Sequence, residues 1–390
     1  MSDEPVHGSS SSADAEVEAY LAKQKRGAKL GKPLIIAIIA IVGAAAIAVV
    51  VLFLRAQSEA EAEAERKAAL ERKKKSYGRH RAKIAELRSL LKGSPCAKKV
   101  IVSLAERLNH ARAHDEALAE SAAFFKRCGE HRRLRWATYT AYKRLGRDDE
   151  AIAEATKLIN AVPRDRDYRW WRGIVYERKG DLARAAEDYR QALAIAPYLT
   201  RIPFNLAAVL ERDHKPCEAR FWLVNYLRQG RRAVRQPTER LAERIKRLGA
   251  LPACQARRGR GDAIISLPEH ADAKVSAAVA IDGKMVDTPF EVRPGVVYSM
   301  LSSAAAKAAG VAADKGVAMI VGGPDGYLDG RRVIVGKVAV GGAEARDVEF
   351  IVVNKLPRDA PGVLAQTFLG RFEVTKDDQT RAMHLVGRAR

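Results

Sequence analysis

The sequence has few cysteines, few aromatic residues and no common metal- or nucleotide-binding motif. Four cysteines in 390 residues are too few for a disulfide-dense scaffold, and no CxxC pair is present to form a zinc ribbon. Strings of the types GxGxxG, GxxxxGK[ST] and HExxH are also missing. These absences argue against nucleotide-dependent enzymes and zinc hydrolases, so we expect neither a cofactor nor a metal.

Basic residues dominate the charge. Lys and Arg number 69 against 47 Asp and Glu, which gives a net charge of +22. A basic protein attracts acidic proteins or anionic envelope polymers. Basic motifs interleaved with aromatic residues, as nucleic-acid modules carry, are not found, which makes nucleic acid an unfavoured partner.

One long uncharged segment covers residues 34–54, and its 21 residues would span a bilayer core of about 30 Å as a helix. We predict a membrane anchor there, preceded by a disordered tail at 1–33 and followed by a charged helical stalk at 55–92. Basic residues lie more densely just before the span than just after it. This weak bias favours a cytoplasmic N-terminus.

A 34-residue period follows the stalk. Ala117, Ala151, Ala185 and Ala219 are each 34 residues apart, a spacing typical of stacked helical hairpins. The segment 170–197, WWRGIVYERKGDLARAAEDYRQALAIAP, resembles a tetratricopeptide repeat. The resemblance implies four repeats and a capping helix over 95–255, and a groove that binds a protein or peptide. Tyr139 and Trp170 lie on first helices of their repeats and are candidates for that groove.

The four cysteines gain meaning from this repeat pattern. Cys96 and Cys128 fall at the same end of the first predicted hairpin, while Cys217 and Cys254 fall together near the capping helix. Four buried free thiols are the alternative. Two matched pairs favour disulfides, which persist outside the reducing cytosol. We therefore predict that the body of the protein is extracytoplasmic, and periplasmic if the source is bacterial.

The remaining residues, 262–390, form short Val- and Ile-rich runs separated by Gly, Pro and Asp, a pattern that predicts β-strands. The hairpin string at 281–284, the segment 290–302 and the string VLAQTFLGRFEV at 363–374 resemble, in order and spacing, the retropepsin-like aspartic peptidases. The resemblance implies a mainly β barrel-like domain. The predicted fold class is therefore multi-domain: a transmembrane helix, an all-α solenoid and a β domain.

The resemblance fails where the catalytic acid belongs. Arg293, Pro294 and Gly295 occupy the Asp-Thr-Gly positions of the family. Aspartic peptidases need two carboxylates that share a proton, and a guanidinium cannot replace either one. We therefore predict a pseudo-peptidase with no catalytic residue.

The alternative places the acid at Asp287, within the string VDT. The protein would then be an active membrane-tethered aspartic endopeptidase that works as a homodimer. A third hypothesis, based on the net charge alone, is a binder of an anionic envelope polymer. The leading hypothesis is a membrane-anchored scaffold that binds a protein or peptide partner.

Overall fold

The structure is a computed structural model that describes residues 32–196, 201–229, 238–268, 275–287, 289–323, 326–357 and 360–388. In the first helix, side chains are described from Val50 onward. The chain divides into two compact units, Met1–Gly78 and Arg79–Arg390.

The first unit contains most of helix α1, Lys32–Gly93. Its side chains from Val50 to Lys75 are exposed, including Phe53 and Leu54. Among the residues whose side chains are described, no helix is both long and apolar enough to cross a membrane. Most of the predicted anchor, at 34–49, lies outside those residues, so membrane anchoring stays a prediction.

The helical part of the second unit consists of four antiparallel hairpins and a cap. The hairpins are α2 Lys98–His110 with α3 His114–Cys128, α4 Arg132–Leu145 with α5 Asp148–Ala161, α6 Arg166–Arg178 with α7 Leu182–Ile195, and α8 Ile202–Arg212 with α9 Pro216–Gln229. The cap comprises α10 Thr238–Ala250 and α11 Pro252–Ala256. This architecture confirms the solenoid predicted from the period.

The period corresponds to two structural needs of each hairpin. The four alanines spaced by 34 residues are fully buried, because the paired helices approach closely at those positions. The turn inside each hairpin needs a positive φ, and the residues that adopt it are also 34 apart: Arg112, Gly146, Gly180 and His214. Glycine adopts this backbone conformation without steric cost, whereas arginine and histidine do not.

The last turns of α1 belong to the helical array. Ile84 and Leu87 are buried, and the guanidinium of Arg88 donates to Glu120 at 2.8 Å and to Glu116 at 2.9 Å on α3. The prediction of a solvated stalk up to residue 92 is therefore wrong for these turns. The apolar positions at 84 and 87 form a short buried stripe that the surrounding charges conceal in the sequence.

Two disulfides close the two ends of the array. Cys96 is bonded to Cys128 and Cys217 to Cys254, with Cα–Cα distances of 5.5 and 5.0 Å. These are the pairs that the hairpin geometry predicts.

The β domain contains two sheets. β1 Asp262–Ser266, β12 Ala382–Val386 and β11 Glu373–Asp377 form the smaller sheet, in that spatial order. The larger sheet comprises β2 Ser276–Ala277, β3 Ala280–Ile281, β4 Lys284–Met285, β5 Phe290–Val292, β6 Ser299–Ser302, β7 Val317–Gly323, β8 Gly326–Val340, β9 Ala343–Val353 and β10 Gly362–Leu364. Two short helices, α12 Ser303–Ala309 and α13 Gln366–Leu369, and a 3₁₀ turn at Ala313–Lys315 connect them.

The strand order of the larger sheet is β2-β5-β10-β6-β9-β8-β3-β4, and β7 pairs with β8. Strand β10 lies between β5, to which it runs parallel, and β6, to which it runs antiparallel. The Asp-Gly turn predicted from the sequence joins β3 and β4, with a positive φ at both Asp282 and Gly283. Such a turn matches the twist of a two-residue hairpin.

One hydrophobic core extends from the repeats into the β domain. It contains Trp222 of α9 and Tyr298, whose rings lie 5.9 Å apart, together with Leu193 and Met319. Arg332 on β8 also pairs with Glu187 on α7 at 2.7 Å. The repeats and the β domain are therefore packed against each other, which the sequence did not predict.

Candidate functional site

The Arg293-Pro294-Gly295 segment forms the loop between β5 and β6. The amide of Arg293 donates to the carbonyl of Leu364 at 2.8 Å, and the amide of Gln366 donates to the carbonyl of Val296 at 3.0 Å. Gln366 also donates through its side-chain amide to the carbonyl of Pro294. This loop and the segment that follows β10 thus lie side by side.

A buried hydroxyl pair braces the same two segments. Ser299 and Thr367 bond to each other through their hydroxyl oxygens at 2.9 Å. The Thr367 hydroxyl also accepts from the amide of Ser299, and the Ser299 hydroxyl accepts from the amide of Ala365. Pro294 supplies no hydroxyl to the loop, so this pair and Gln366 hold it instead. The sequence alone does not single out these residues, although Gln366 and Thr367 lie inside the string that carries the resemblance.

The charged group at the loop is an ion pair. Arg293 lies 2.8 Å from the carboxylate of Glu291, whose side chain is only 10% exposed. A guanidinium keeps its proton in proteins and accepts no hydrogen bond, so it cannot activate a water molecule. Neither Arg293 nor Pro294 offers the carboxylate that acid–base catalysis by an aspartic peptidase requires.

Asp287 lies elsewhere. It follows β4, is exposed, and is not among the residues that line the cavity beside the Arg293 loop. The next residue, Thr288, is outside the described residues. The structure therefore does not bring Asp287 to the loop that the family uses for its acid.

A cavity of about 550 Å³ opens beside this loop, and we call it the cleft. The loop residues Arg293, Gly295 and Val296 form one wall, and the β7–β8 hairpin forms another. The C-terminal turn of α7, from Leu193 to Ala196, closes a third side. Most of the lining is apolar, which suits a largely hydrophobic ligand.

The cleft depends on a close approach between the two domains. A side chain at Gly322 on β7 would collide with the backbone carbonyl of Ile195 on α7. Tyr298 belongs to the lining of the cleft, and its buried hydroxyl has no hydrogen-bond partner in the part of the chain that the structure describes. Burial raises the pKa of Tyr298 well above its ordinary value.

The two residues predicted for a repeat groove have different positions. Tyr139 is 1% exposed, and its hydroxyl donates to the carbonyl of Trp171 at 2.8 Å. Burial raises the pKa of Tyr139 above its ordinary value. Tyr139 is therefore a core residue, and its assignment to a groove is wrong, because the indoles of Trp136 and Trp171 stack around it.

Trp170, by contrast, lines an open groove of about 590 Å³ between α6 and α8. Ile174 and Asn205 share this lining with Glu177, which pairs with Arg212 at 3.1 Å. The groove offers an apolar floor flanked by charges of both signs. Among the described residues, no group of three or more His, Cys, Asp or Glu side chains is placed to hold a metal ion.

Both resemblances are confirmed by matches to family models. The aspartyl protease family model matches residues 277–371, and the tetratricopeptide repeat model matches residues 167–199. The chain therefore carries a tetratricopeptide repeat and a C-terminal domain of the retropepsin-like type. No curated protein matches the sequence.

Solved structures of tetratricopeptide proteins show partial similarity. A crystal structure of MamA is 16% identical, with 46% of this chain and 96% of that chain covered and a TM-score of 0.36. A tetratricopeptide repeat protein from Parabacteroides merdae is 16% identical over 48% of this chain and 74% of that chain, with a TM-score of 0.37. YrrB, described as a tetratricopeptide protein with an unusual peptide-binding site, is 15% identical over 44% and 86%, with a TM-score of 0.36.

Proposed function

We propose that the protein is a non-catalytic, membrane-anchored scaffold that binds an extended peptide segment of a partner in the cleft. The observation that carries this proposal is the Arg293–Glu291 ion pair at the loop where an aspartic peptidase holds its acid. The loop is kept by its hydrogen bonds to the segment after β10, while the group that would activate water is replaced.

The cleft supports a peptide ligand in two ways. Its walls carry apolar side chains such as Val296, Val321 and Leu328, and its rim carries the charged pair Arg293 and Glu291. Apolar walls with a few polar anchors bind and orient a ligand. The Trp170 groove offers a second contact for the same partner, since tetratricopeptide arrays bind proteins and peptides.

The location of the scaffold is part of the proposal. The uncharged segment 34–54 would anchor it, with the N-terminus cytoplasmic and both disulfide-bonded regions outside. Thiol trapping in intact cells tests this location. If the four cysteines react with an alkylating reagent only after reduction, the result supports an extracytoplasmic location, whereas cysteines that react without reduction contradict it. The net positive charge allows an anionic envelope polymer as an additional partner.

Peptidase activity decides between this proposal and the alternative of a homodimeric peptidase with Asp287. The full-length protein in detergent is incubated at pH 3–8 with mixed-sequence fluorogenic peptides, beside the Asp287→Asn variant. We expect no turnover from either protein. Turnover that Asp287→Asn abolishes would overturn the proposal and make the protein an enzyme.

Peptide binding is measured with the same full-length protein. A Cβ at Gly295 meets open space, so Gly295→Trp can fill the cleft without a backbone clash. Ile264→Trp is the matched control because Ile264 is exposed on β1, away from the cleft. Peptides selected for binding to the wild-type protein should also bind the Ile264→Trp control. They should not bind the Gly295→Trp variant. Equal binding to both variants would remove the cleft from the proposal.

A further inference from the structure

A second cavity, of about 540 Å³, lies where α9 and α11 meet the β domain, and we call it the basic cavity. Its lining includes the guanidinium groups of Arg220, Arg228, Arg258 and Arg371. It shares no lining residue with the cleft. A ligand in the basic cavity would therefore contact other residues than the peptide proposed for the cleft.

Among the described residues, two acidic side chains of the lining form ion pairs with other arginines, and none does so with these four. Glu218 pairs with Arg190, and Glu349 pairs with Arg332 at 3.1 Å. The third acidic residue, Asp347, receives a hydrogen bond from Arg371 through its backbone carbonyl. The carboxylates of these three acids act on Arg371 through space, but in the described chain none of them forms an ion pair with the four arginines.

The partners of the four arginines within the described chain are few and uncharged. Arg220 makes no hydrogen bond or ion pair with any residue that the structure describes, and its Nε is buried. Arg228 donates to the side-chain oxygen of Gln366. Arg371 donates to backbone carbonyls of residues 257 and 347.

This arrangement is electrostatically unfavourable without a ligand. Burial, together with the nearby charges of Arg258 and Arg228, lowers the pKa of Arg220. Burial and the charge of Arg257 likewise lower the pKa of Arg371. Arg220 and Arg371 are partly buried without an ion-pair partner in the described chain, which is costly, and an anion that entered the cavity would reduce that cost.

The position of a helix N-terminus also favours an anion. The N-terminal turn of α9, at 216–218, lines the cavity, and helix N-termini attract negative charge. Asn225 also lines the cavity, but its side-chain amide already donates to the carbonyl of Phe221 at 2.8 Å and is not counted as an anion ligand. The disulfide between Cys217 and Cys254 fixes α9 to α11 at this place.

We propose that the basic cavity binds a small polyanion with at least two phosphate or carboxylate groups. The guanidinium fork bonds both kinds of oxyanion in a bidentate manner, and several forks converge here. The cavity volume lies within the range of small-molecule sites. This site would give the scaffold a soluble ligand distinct from its peptide partner.

Isothermal titration calorimetry of the full-length protein in detergent tests the site, with tripolyphosphate and citrate as separate probes. The comparison of the two probes shows whether phosphate or carboxylate is preferred. We expect saturable binding of at least one probe, and Arg220→Gln should weaken it by about tenfold or more. Arg247→Gln, an exposed arginine outside the cavity, is the charge-matched control and should bind like the wild type.

Stability without ligand separates a binding role from a structural one. Because Arg220 has no partner in the described chain, Arg220→Gln should leave the melting temperature unchanged or raise it. If that variant does not fold, Arg258→Gln replaces it, since Arg258 is exposed and its removal leaves the packing intact.

Three results would overturn the proposal. The first is that neither probe shows saturable binding. The second is that the probes bind equally to Arg220→Gln and Arg247→Gln with an affinity that follows ionic strength, which indicates an adventitious ion only. Tighter binding of an oligo-aspartate peptide than of both small probes would assign the cavity to an acidic protein segment instead.

Discussion

The helical repeats and the β domain preserve their family patterns in different ways. In the repeats, the residues that carry the resemblance are also the residues that pack, such as Gly173 against the ring of Tyr189. In the β domain, the framework at Leu364 and Phe368 is buried, while Arg293 stands at the position that the resemblance aligns with the catalytic acid. The framework of a family does not by itself establish the chemistry of that family, and function must be argued from the site.

The two regions also differ in how they are held. Both disulfides lie in the helical region, which is built from contacts between neighbouring hairpins. Among the described residues, the β domain has no cross-link and relies on strands distant in sequence, such as β5 beside β10. The core shared through Trp222 and Tyr298 joins the two regions. We therefore expect them to unfold together.

Removing a disulfide has the largest expected effect. Two double variants each remove one disulfide: Cys96→Ser with Cys128→Ser, and Cys217→Ser with Cys254→Ser. The first disulfide joins cysteines separated by 32 positions in the sequence, and the second joins cysteines separated by 37 positions. Loop-closure entropy predicts a loss of about 3–4 kcal/mol in the free energy of unfolding for each pair. Chemical denaturation measures this loss.

Hydrogen exchange distinguishes the two disulfide variants. Removal of the Cys96–Cys128 disulfide should raise the rate of hydrogen exchange mainly within α2 and α3. Removal of the Cys217–Cys254 disulfide should raise the exchange rate in α9 and also in the strands that share its hydrophobic core. Exchange confined to α9 and α11 in the second variant would contradict a coupling of the two regions.

Methyl groups added at two tight glycines give the next largest effect. A Cβ at Gly173 would lie 2.6 Å from the ring of Tyr189, and one at Gly362 would collide with the ring of Phe290. Overpacking of this kind costs about 1–3 kcal/mol, so Gly173→Ala and Gly362→Ala should each lower the midpoint of denaturation.

The control for this pair is Gly78→Ala, where the added methyl meets nothing within 4 Å. It should be neutral or raise stability by less than about 1 kcal/mol. Both destabilised variants should retain one transition detected by circular dichroism and by tryptophan fluorescence. Two separated transitions would mean that the shared core does not couple the repeats to the β domain.

The sequence predicts the repeats well because their signal is periodic and local. The alanine period, the cysteine pairs and the capping helix all follow from a spacing that stacked hairpins require. Tyr139 was misassigned because an aromatic residue on a first helix can face either the core or the groove. The direction depends on Trp136 and Trp171, which stack around it only in three dimensions.

The strands of the β domain and the position of its Arg293 loop can be predicted from the sequence. The residues of the helical region that pack against the β domain cannot. The Arg293 loop could be located from order and spacing alone. The basic cavity could not, because its arginines at 220 and 371 come from segments 151 residues apart in the sequence. A cluster of charges that come from two domains leaves no local pattern, so only the packed structure brings Arg220, Arg258 and Arg371 together.

The smallest expected effect concerns the hairpin turns that depart from glycine. Arg112 and His214 adopt φ values of 60° and 56°, where the same turn in the inner repeats uses Gly146 and Gly180. A non-glycine residue is strained in this conformation, so Arg112→Gly and His214→Gly should each raise the free energy of unfolding by about 0.5–1 kcal/mol. Gly146→Ala is the reverse control and should lose a similar amount in the same denaturation experiment. A loss of stability on Arg112→Gly would show that the arginine side chain contributes more to the first hairpin than its backbone costs, and the difference between inner and outer repeats would then be adaptive.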